Sequence, residues 1–393
     1  MRKIYFDNNA TTPVHPEVRK AIEPFLSDQF GNPSSIHWAG RDVRKGIEDA
    51  RQEIASFFGS QPLELVFTSS GTESDNLAIK GIAYRQGNAG KHIVTSQVEH
   101  PAVINACRFL ETQGFRVTYV PVNRHGIVEP EKVREALTRD TILVSVMYAN
   151  NETGSVMAIP EIGAIARDAG VIMHTDAVQA AGKIPIDFSH LPVDMLTFSG
   201  HKVNALKGAG GLIVRKGIEI EAMSHGGHQE RGRRGGTENV VGIIAMGKSF
   251  QLLRTRMADE VAEVLRLRTK FEKGLFDRIP ELVLNGHPTR RLPNTVNISF
   301  RYVEGEAMLL NLDMMGIACS SGSACTSGSL EPSPILVAMG ADPTDAQGAL
   351  RFSLGWGNTD ADVEYAIDAV ETVTSKLRAL SPLYPSTKEA KAR

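Results

Sequence analysis

The chain has 393 residues, 42% apolar and 22% charged, with a formal net charge of −2. These values predict a globular protein of two or three domains with a substantial core, and they exclude attraction to nucleic acid or membrane through bulk charge. No apolar run approaches the roughly 18 residues that cross a bilayer.

The first residues, MRKIYFDNNATTP, turn polar quickly and hold no signal-peptide apolar region, so a cytoplasmic protein is expected. Farther along, short β-branched runs alternate with helical patterns. Strands are predicted at 63–69, 91–96, 116–122, 141–149, 170–176 and 194–200, with helices at 73–85 and 159–170. Such alternation implies an α/β fold with a mostly parallel, helix-covered sheet. Near residue 250 the pattern changes to a long helix, about 244–279, either continuous or broken, and then to a strand at 294–300. The segment 362–380 places Val363, Ala366, Ile367, Val370 and Leu377 on one helical face. The expected division is a large domain over 14–260, a smaller α+β domain built from 1–13 and 261–380, and a polar tail over 381–393.

Ligands of open α/β sheets bind beyond the carboxyl ends of the strands, and four predicted strands end in reactive residues. VFTSSGTESDNLAIK runs from a strand through Ser69-Ser70-Gly71-Thr72 into a helix, which is either an anion cradle or an ordinary N-cap. Asp176 closes GVIMHTD, either as a helix cap or as the partner of a protonated ring nitrogen, the arrangement that pyridoxal phosphate needs. Lys202 follows DMLTFSGH, either as a surface lysine or as a Schiff-base amine. His100, in KHIVTSQVEHPAV, is a structural histidine or one that offers a ring face or a proton. Taken together, cradle, Asp and Lys stand in the order that a pyridoxal enzyme uses.

Across these residues the chain resembles the cysteine desulfurases of the NifS/IscS type, within the class V aminotransferase-like, fold type I pyridoxal-phosphate enzymes. The resemblance runs through DNNATTP (7–13), GNPSS (31–35), SSGTESDNLAIKG (69–81), EHPAV (99–103), NNETG (150–154), HTDAVQ (174–179), SGHK (199–202), RGGTEN (234–239), SSGSACTS (320–327) and LRFSLG (350–355). It implies a fold type I transferase with pyridoxal 5′-phosphate on Lys202, Asp176 at the ring nitrogen and Gln179 at the ring hydroxyl. Gly71, Thr72, Ser199 and His201 would hold the phosphate, His100 would stack on the ring, and Asn151 would contact the cofactor. Thr237 would reach the phosphate of a neighbouring subunit, which implies a homodimer. Arg351 would grip the carboxylate of L-cysteine.

The resemblance also explains a lone thiol among small residues. Cys325, in SSGSACTSG, would take the substrate's sulfur as a persulfide, leaving alanine, and pass it to an iron–sulfur scaffold protein or another acceptor. No metal site is expected in the resting enzyme, although Cys325 is a candidate transient iron–sulfur ligand. Rival readings are a selenocysteine lyase, a C–S lyase or a small-amino-acid aminotransferase of the same fold, and a non-catalytic scaffold-binding homologue.

The chain departs from the family at Ala205-Leu206, where Gly-Pro is usual, so an altered loop is expected there. Cys319 is read as packing or as a partner that traps the persulfide, and Cys107 as core. His225 and His228 lack further ligands for a metal, and RGRRGG (231–236) reads as an interface or a phosphate-side loop.

Overall fold

The computed structural model describes residues 2–321 and 332–385. Cys325 and its neighbours therefore lie outside the described residues. In chain order the strands are β1 (Ile4–Tyr5), β2 (Leu65–Thr68), β3 (His92–Ser96), β4 (Arg116–Val120), β5 (Thr141–Ser145), β6 (Ile172–Asp176), β7 (Met195–Ser199), β8 (Gly210–Val214), β9 (Leu282–Asn285), β10 (Thr295–Phe300), β11 (Ile317–Ala318), β12 (Ser320–Ser321) and β13 (Ala349–Ser353).

The central sheet has the order β2-β8-β7-β6-β5-β3-β4. Strands β3 to β7 run parallel, and β8 is antiparallel to both β7 and β2. Strands β2, β3, β5, β7 and β8 are buried throughout, as expected of a sheet covered by helices on both faces. Strand β8 escaped the sequence reading because GAGGLIV is rich in glycine. At Gly211 the reason is packing, since a Cβ there would lie 2.3 Å from the Phe198 ring.

A second sheet, β12-β13-β10-β9, is antiparallel, and β1 pairs with β11 beside it. Its core joins Ile4 and Phe6 to Phe271, Phe300, Phe352 and Val370. The face expected over 362–380 is buried there, with Leu377 packed at its margin. The long helix, Val240–Arg278, is continuous and serves both cores. Phe250 and Leu253 belong to the larger core, and Leu267, Phe271 and Leu275 to the smaller. At Gly247 a Cβ would stand 2.4 Å from that of Ala50, so glycine lets this helix approach the helix Trp38–Phe58.

One buried ion pair pins the larger core. Arg51 donates to both Glu230 oxygens, at 2.7 and 3.1 Å, with side chains only 4% and 3% exposed. The Arg51 guanidinium also lies over the Phe67 ring at 4.5 Å. Glu230 Oε2 accepts from Phe67 N at 3.0 Å. Arg51→Ala would strand a buried carboxylate, so chemical denaturation should show a loss of about 3–5 kcal/mol.

Candidate active site

Of the predicted site residues, Gly71, Thr72, His100, Asn151, Asp176, Gln179, Ser199, His201 and Lys202 lie at or just beyond the carboxyl ends of central strands. Beyond β2, Ser70 caps the helix Gly71–Gln86, its Oγ accepting from Glu73 N at 3.1 Å. The cap reading and the cradle reading are thus compatible: Ser70 is spent on the helix, while Thr72 at its second position is exposed. The helix start lies tight against the sheet. A Cβ on Gly71 would stand 2.8 Å from Val178 Cγ2, and one on Gly210 would stand 2.6 Å from the Ser70 carbonyl carbon. Ser199, ending β7, is buried, and its Oγ has no hydrogen-bond partner.

Asp176 ends β6, and its Oδ1 accepts from Val178 N at 2.8 Å. Burial raises its carboxyl above the usual range, while the charges of His100 and Lys202 pull it back. Two more carboxylates lie behind it. Asp75 is buried and raised well above its ordinary value, by burial first and Asp176 second. Glu99 accepts from Ser96 Oγ at 2.5 Å and from Met147 N at 3.0 Å, and burial pushes it up to about 8. His174 between them is held neutral, its pKa lowered by burial to about 3, with Ser145 Oγ at 2.9 Å and Thr197 Oγ1 at 3.0 Å. Of the three carboxyls, Asp176 is the one that the charges of His100 and Lys202 pull back down, which makes it the carboxyl best placed to meet a cation.

His100 caps the helix Pro101–Thr112, with Nδ1 accepting from Ala102 N at 3.1 Å. Burial lowers its pKa, and because Nδ1 accepts a hydrogen bond, Nε2 is the ring nitrogen that carries the proton. Lys202, in a short helical turn after β7, donates from Nζ to the carbonyls of Asn9 at 2.5 Å and Ala10 at 2.8 Å. Gln179 Nε2 reaches the same Asn9 carbonyl at 3.0 Å, leaving its buried Oε1 without a partner. His201 Nδ1 lies 3.2 Å from Thr11 Oγ1, and burial followed by the charge of Lys202 lowers its pKa to about 4. The stretch DNNATTP is therefore the strand of chain on which the lysine rests.

The Ala205-Leu206 departure is absorbed locally. The left-handed residues there are Asn204 (φ 62°) and Gly208 (φ 79°), so Ala205 needs no special backbone. It is buried, and Leu206 packs against the core.

Arg351, from β13, is only 2% exposed. It donates from Nη1 to the Asn151 carbonyl at 3.0 Å and from Nη2 to Asp7 Oδ1 at 2.7 Å. Asn151 Oδ1 is buried without a partner. Cys319 packs at the edge of the smaller core beside Asp7 and Arg351, and burial raises its thiol strongly. Cys107 is fully buried, and its thiol is pushed up to about 12. Thr237 is exposed, in a groove shared with Ser69 and Arg234, and Arg234 pairs with Glu73 at 2.9 Å. No hydrogen bond joins Thr237 to Thr72, Ser199 or His201 among the described residues. His225 and His228 are exposed, and no cluster of three metal-ligating side chains occurs among the described residues.

Asp7, Asn9, Asp75, Glu99 and His174 received no role from sequence reasoning. All lie inside the matched motifs, and that position is the signal that could have marked them.

The donor set suits pyridoxal phosphate. An amine (Lys202), a buried carboxylate (Asp176) and a helix N-terminus (Gly71) stand at the carboxyl ends of β7, β6 and β2, and three buried polar atoms at or after the ends of β5, β6 and β7 lack partners: Asn151 Oδ1, Gln179 Oε1 and Ser199 Oγ. Orphaned buried groups of this kind are costly unless a ligand satisfies them. The sequence profile of the aminotransferase class-V family matches residues 4–366. A cysteine desulfurase of Trichormus azollae is 50% identical over 382 residues, covering 97% of this chain and 95% of its own. The cysteine desulfurase IscS of Dictyoglomus turgidum is 49% identical, with 97% of each chain covered. A solved NifS-like protein superposes with a TM-score of 0.90 at 35% identity, over 95% of this chain and all (100%) of that one.

Proposed function

The chain belongs to the aminotransferase class-V family, and from that premise we propose that it is a pyridoxal-phosphate-dependent cysteine desulfurase. It converts L-cysteine to L-alanine and takes up the sulfur on Cys325 as a persulfide, for delivery to an acceptor in iron–sulfur cluster assembly. The observation that carries the reading is that Lys202, Asp176 and His100 act on one another electrostatically, together with the unpartnered buried atoms of Asn151, Gln179 and Ser199 at the same strand ends.

The bound cofactor supplies an electron sink that weakens bonds at the substrate's Cα. Lys202 Nζ would hold it covalently and would move the proton at the substrate's Cα. Asp176, as a buried carboxylate, would favour a proton on the ring nitrogen. His100 covers the ring and excludes water, and its Nε2 carries the proton available at the substrate. Thr72, Ser199 and His201, with the N–H groups at Gly71, hold the phosphate. Gln179 Oε1 receives the ring hydroxyl, Asn151 contacts the cofactor, and Arg351 takes the substrate carboxylate. The thiolate of Cys325 then attacks the substrate's Sγ. An S–S bond forms as the Cβ–Sγ bond breaks, and one cysteine plus one enzyme thiol give one alanine plus one enzyme persulfide.

In this reading the cofactor residues lie in the larger domain, 14–260, and the thiol in the smaller, 1–13 with 261–380. The exposed Thr237, without a partner in its own cradle, supports a homodimer in which it reaches the neighbour's phosphate. No helix among the described residues is long and apolar enough to cross a membrane, and we place the protein in the cytoplasm.

The test is incubation of the purified protein with L-cysteine and a reductant, with alanine quantified against sulfide. Equal yields are expected, whereas pyruvate and ammonia would mean a C–S lyase. Cys325→Ala should keep its cofactor and lose persulfide formation. Undiminished alanine and sulfide from that variant would remove the thiol from the reaction.

A further inference from the structure

The arginine assigned to the substrate carboxylate already holds a carboxylate. Asp7 follows β1, and an isolated parallel bridge pairs it with Ser353, two residues from Arg351. Its Oδ1 takes one hydrogen bond from Arg351 Nη2, at 2.7 Å. Among the described residues, no other donor reaches the Asp7 carboxylate. Arg351 Nε is buried and has no partner. Nε and Nη2 lie on one edge of a guanidinium, the edge that a carboxylate engages with both oxygens. Asp7 therefore occupies the fork through one of its two donors.

We propose that Asp7 is an internal competitor for the substrate carboxylate: it holds Arg351 in the substrate-free enzyme and is displaced when a ligand carboxylate engages Nε and Nη2 together. This inference rests on the proposed role of Arg351. The Asp7 side chain is 17% exposed and the arginine 2%, so the aspartate is the partner with room to leave. Displacement is favoured because one bond is exchanged for two. A ligand whose carboxylate is replaced by a neutral amide cannot make that exchange, so Asp7 sets specificity for an anionic group as well as affinity. While Asp7 holds the fork, the competent fraction of the enzyme is small, and apparent affinity falls by that fraction.

The experiment is calorimetric titration of the holoenzyme with propionate, with propionamide as the neutral control, for the wild type, Asp7→Asn and Asp7→Ala. Two variants are used so that a fold defect in one does not decide the result. Propionate is expected to bind either variant about tenfold more tightly than wild type, with propionamide unchanged. Unchanged or weaker propionate binding by a folded variant would overturn the proposal, because an aspartate that merely positions Arg351 gives that result. Equal tightening for propionamide would also overturn it. The alanine assay on wild type decides the proposed activity separately and leaves the propionate comparison standing.

Discussion

Lys202→Ala is expected to yield a folded protein without covalently held cofactor, and alanine formation should fall at least about a thousandfold. The residue has the geometry for both tasks. Its Nζ rests on two backbone carbonyls, of Asn9 and Ala10, contacts that hold the amine in place. Two other lysines provide the control. Lys207, in the same loop, is exposed. Lys183 is half-buried, its Nζ donates to the Gln179 carbonyl at 3.0 Å, and loss of solvation lowers its pKa to about 7. Borohydride reduction followed by peptide mapping should place the label on Lys202 in the wild type. A label on Lys207 or Lys183 would overturn the assignment.

Asp176→Asn should lower turnover roughly a hundredfold or more, since removing one partner of a buried charge pair costs about 3–5 kcal/mol. Its effect on stability runs in the opposite direction. Burial raises the folded-state pKa of Asp176, so the folded protein binds its proton more tightly than the unfolded chain. The wild-type apoprotein therefore loses stability as pH rises from the ordinary aspartate value toward the raised one, and the loss is complete above it. The asparagine variant lacks this term. Its apoprotein should melt at a higher temperature than wild-type apoprotein at neutral pH, while the holo forms should show the reverse order. Equal melting of the two apoproteins would mean that Asp176 is not held against its ionisation. A turnover near wild type would remove it from the cofactor's ring nitrogen.

These two residues were legible in the sequence because each ends a strand whose apolar run is unmistakable. GVIMHTD and DMLTFSG hold enough buried side chains to define β6 and β7, and the chemistry follows at the last residue. The long helix Val240–Arg278 was legible for a similar reason, with no proline to interrupt it. Strand β8 was not, since glycines chosen for close packing on Phe198 carry no strand signal of their own. Cys325 was singled out by its small neighbours, and its place in the site lies outside the described residues.

Read alone, the residues settle the alternation of strands and helices, the acid, amine and cradle at the strand ends, and the family to which those motifs belong. Such features are local: periodicity, caps and end-of-strand positions are written within a few residues of one another. What only the tertiary structure decides is which distant groups share a charge or a proton. The contact between Asp7 and Arg351 spans nearly the whole chain, because the segment after β1 bridges to Ser353 of β13 beside the smaller core. Asn9 reaches Lys202 and Gln179 for the same reason. Asp75, Glu99 and Asp176 come from a helix, a loop and a strand, and Asp176 raises the cost of ionising the other two only because folding removes the water between them. Burial and long-range pairing set those energies, and neither is a property of any short stretch of sequence.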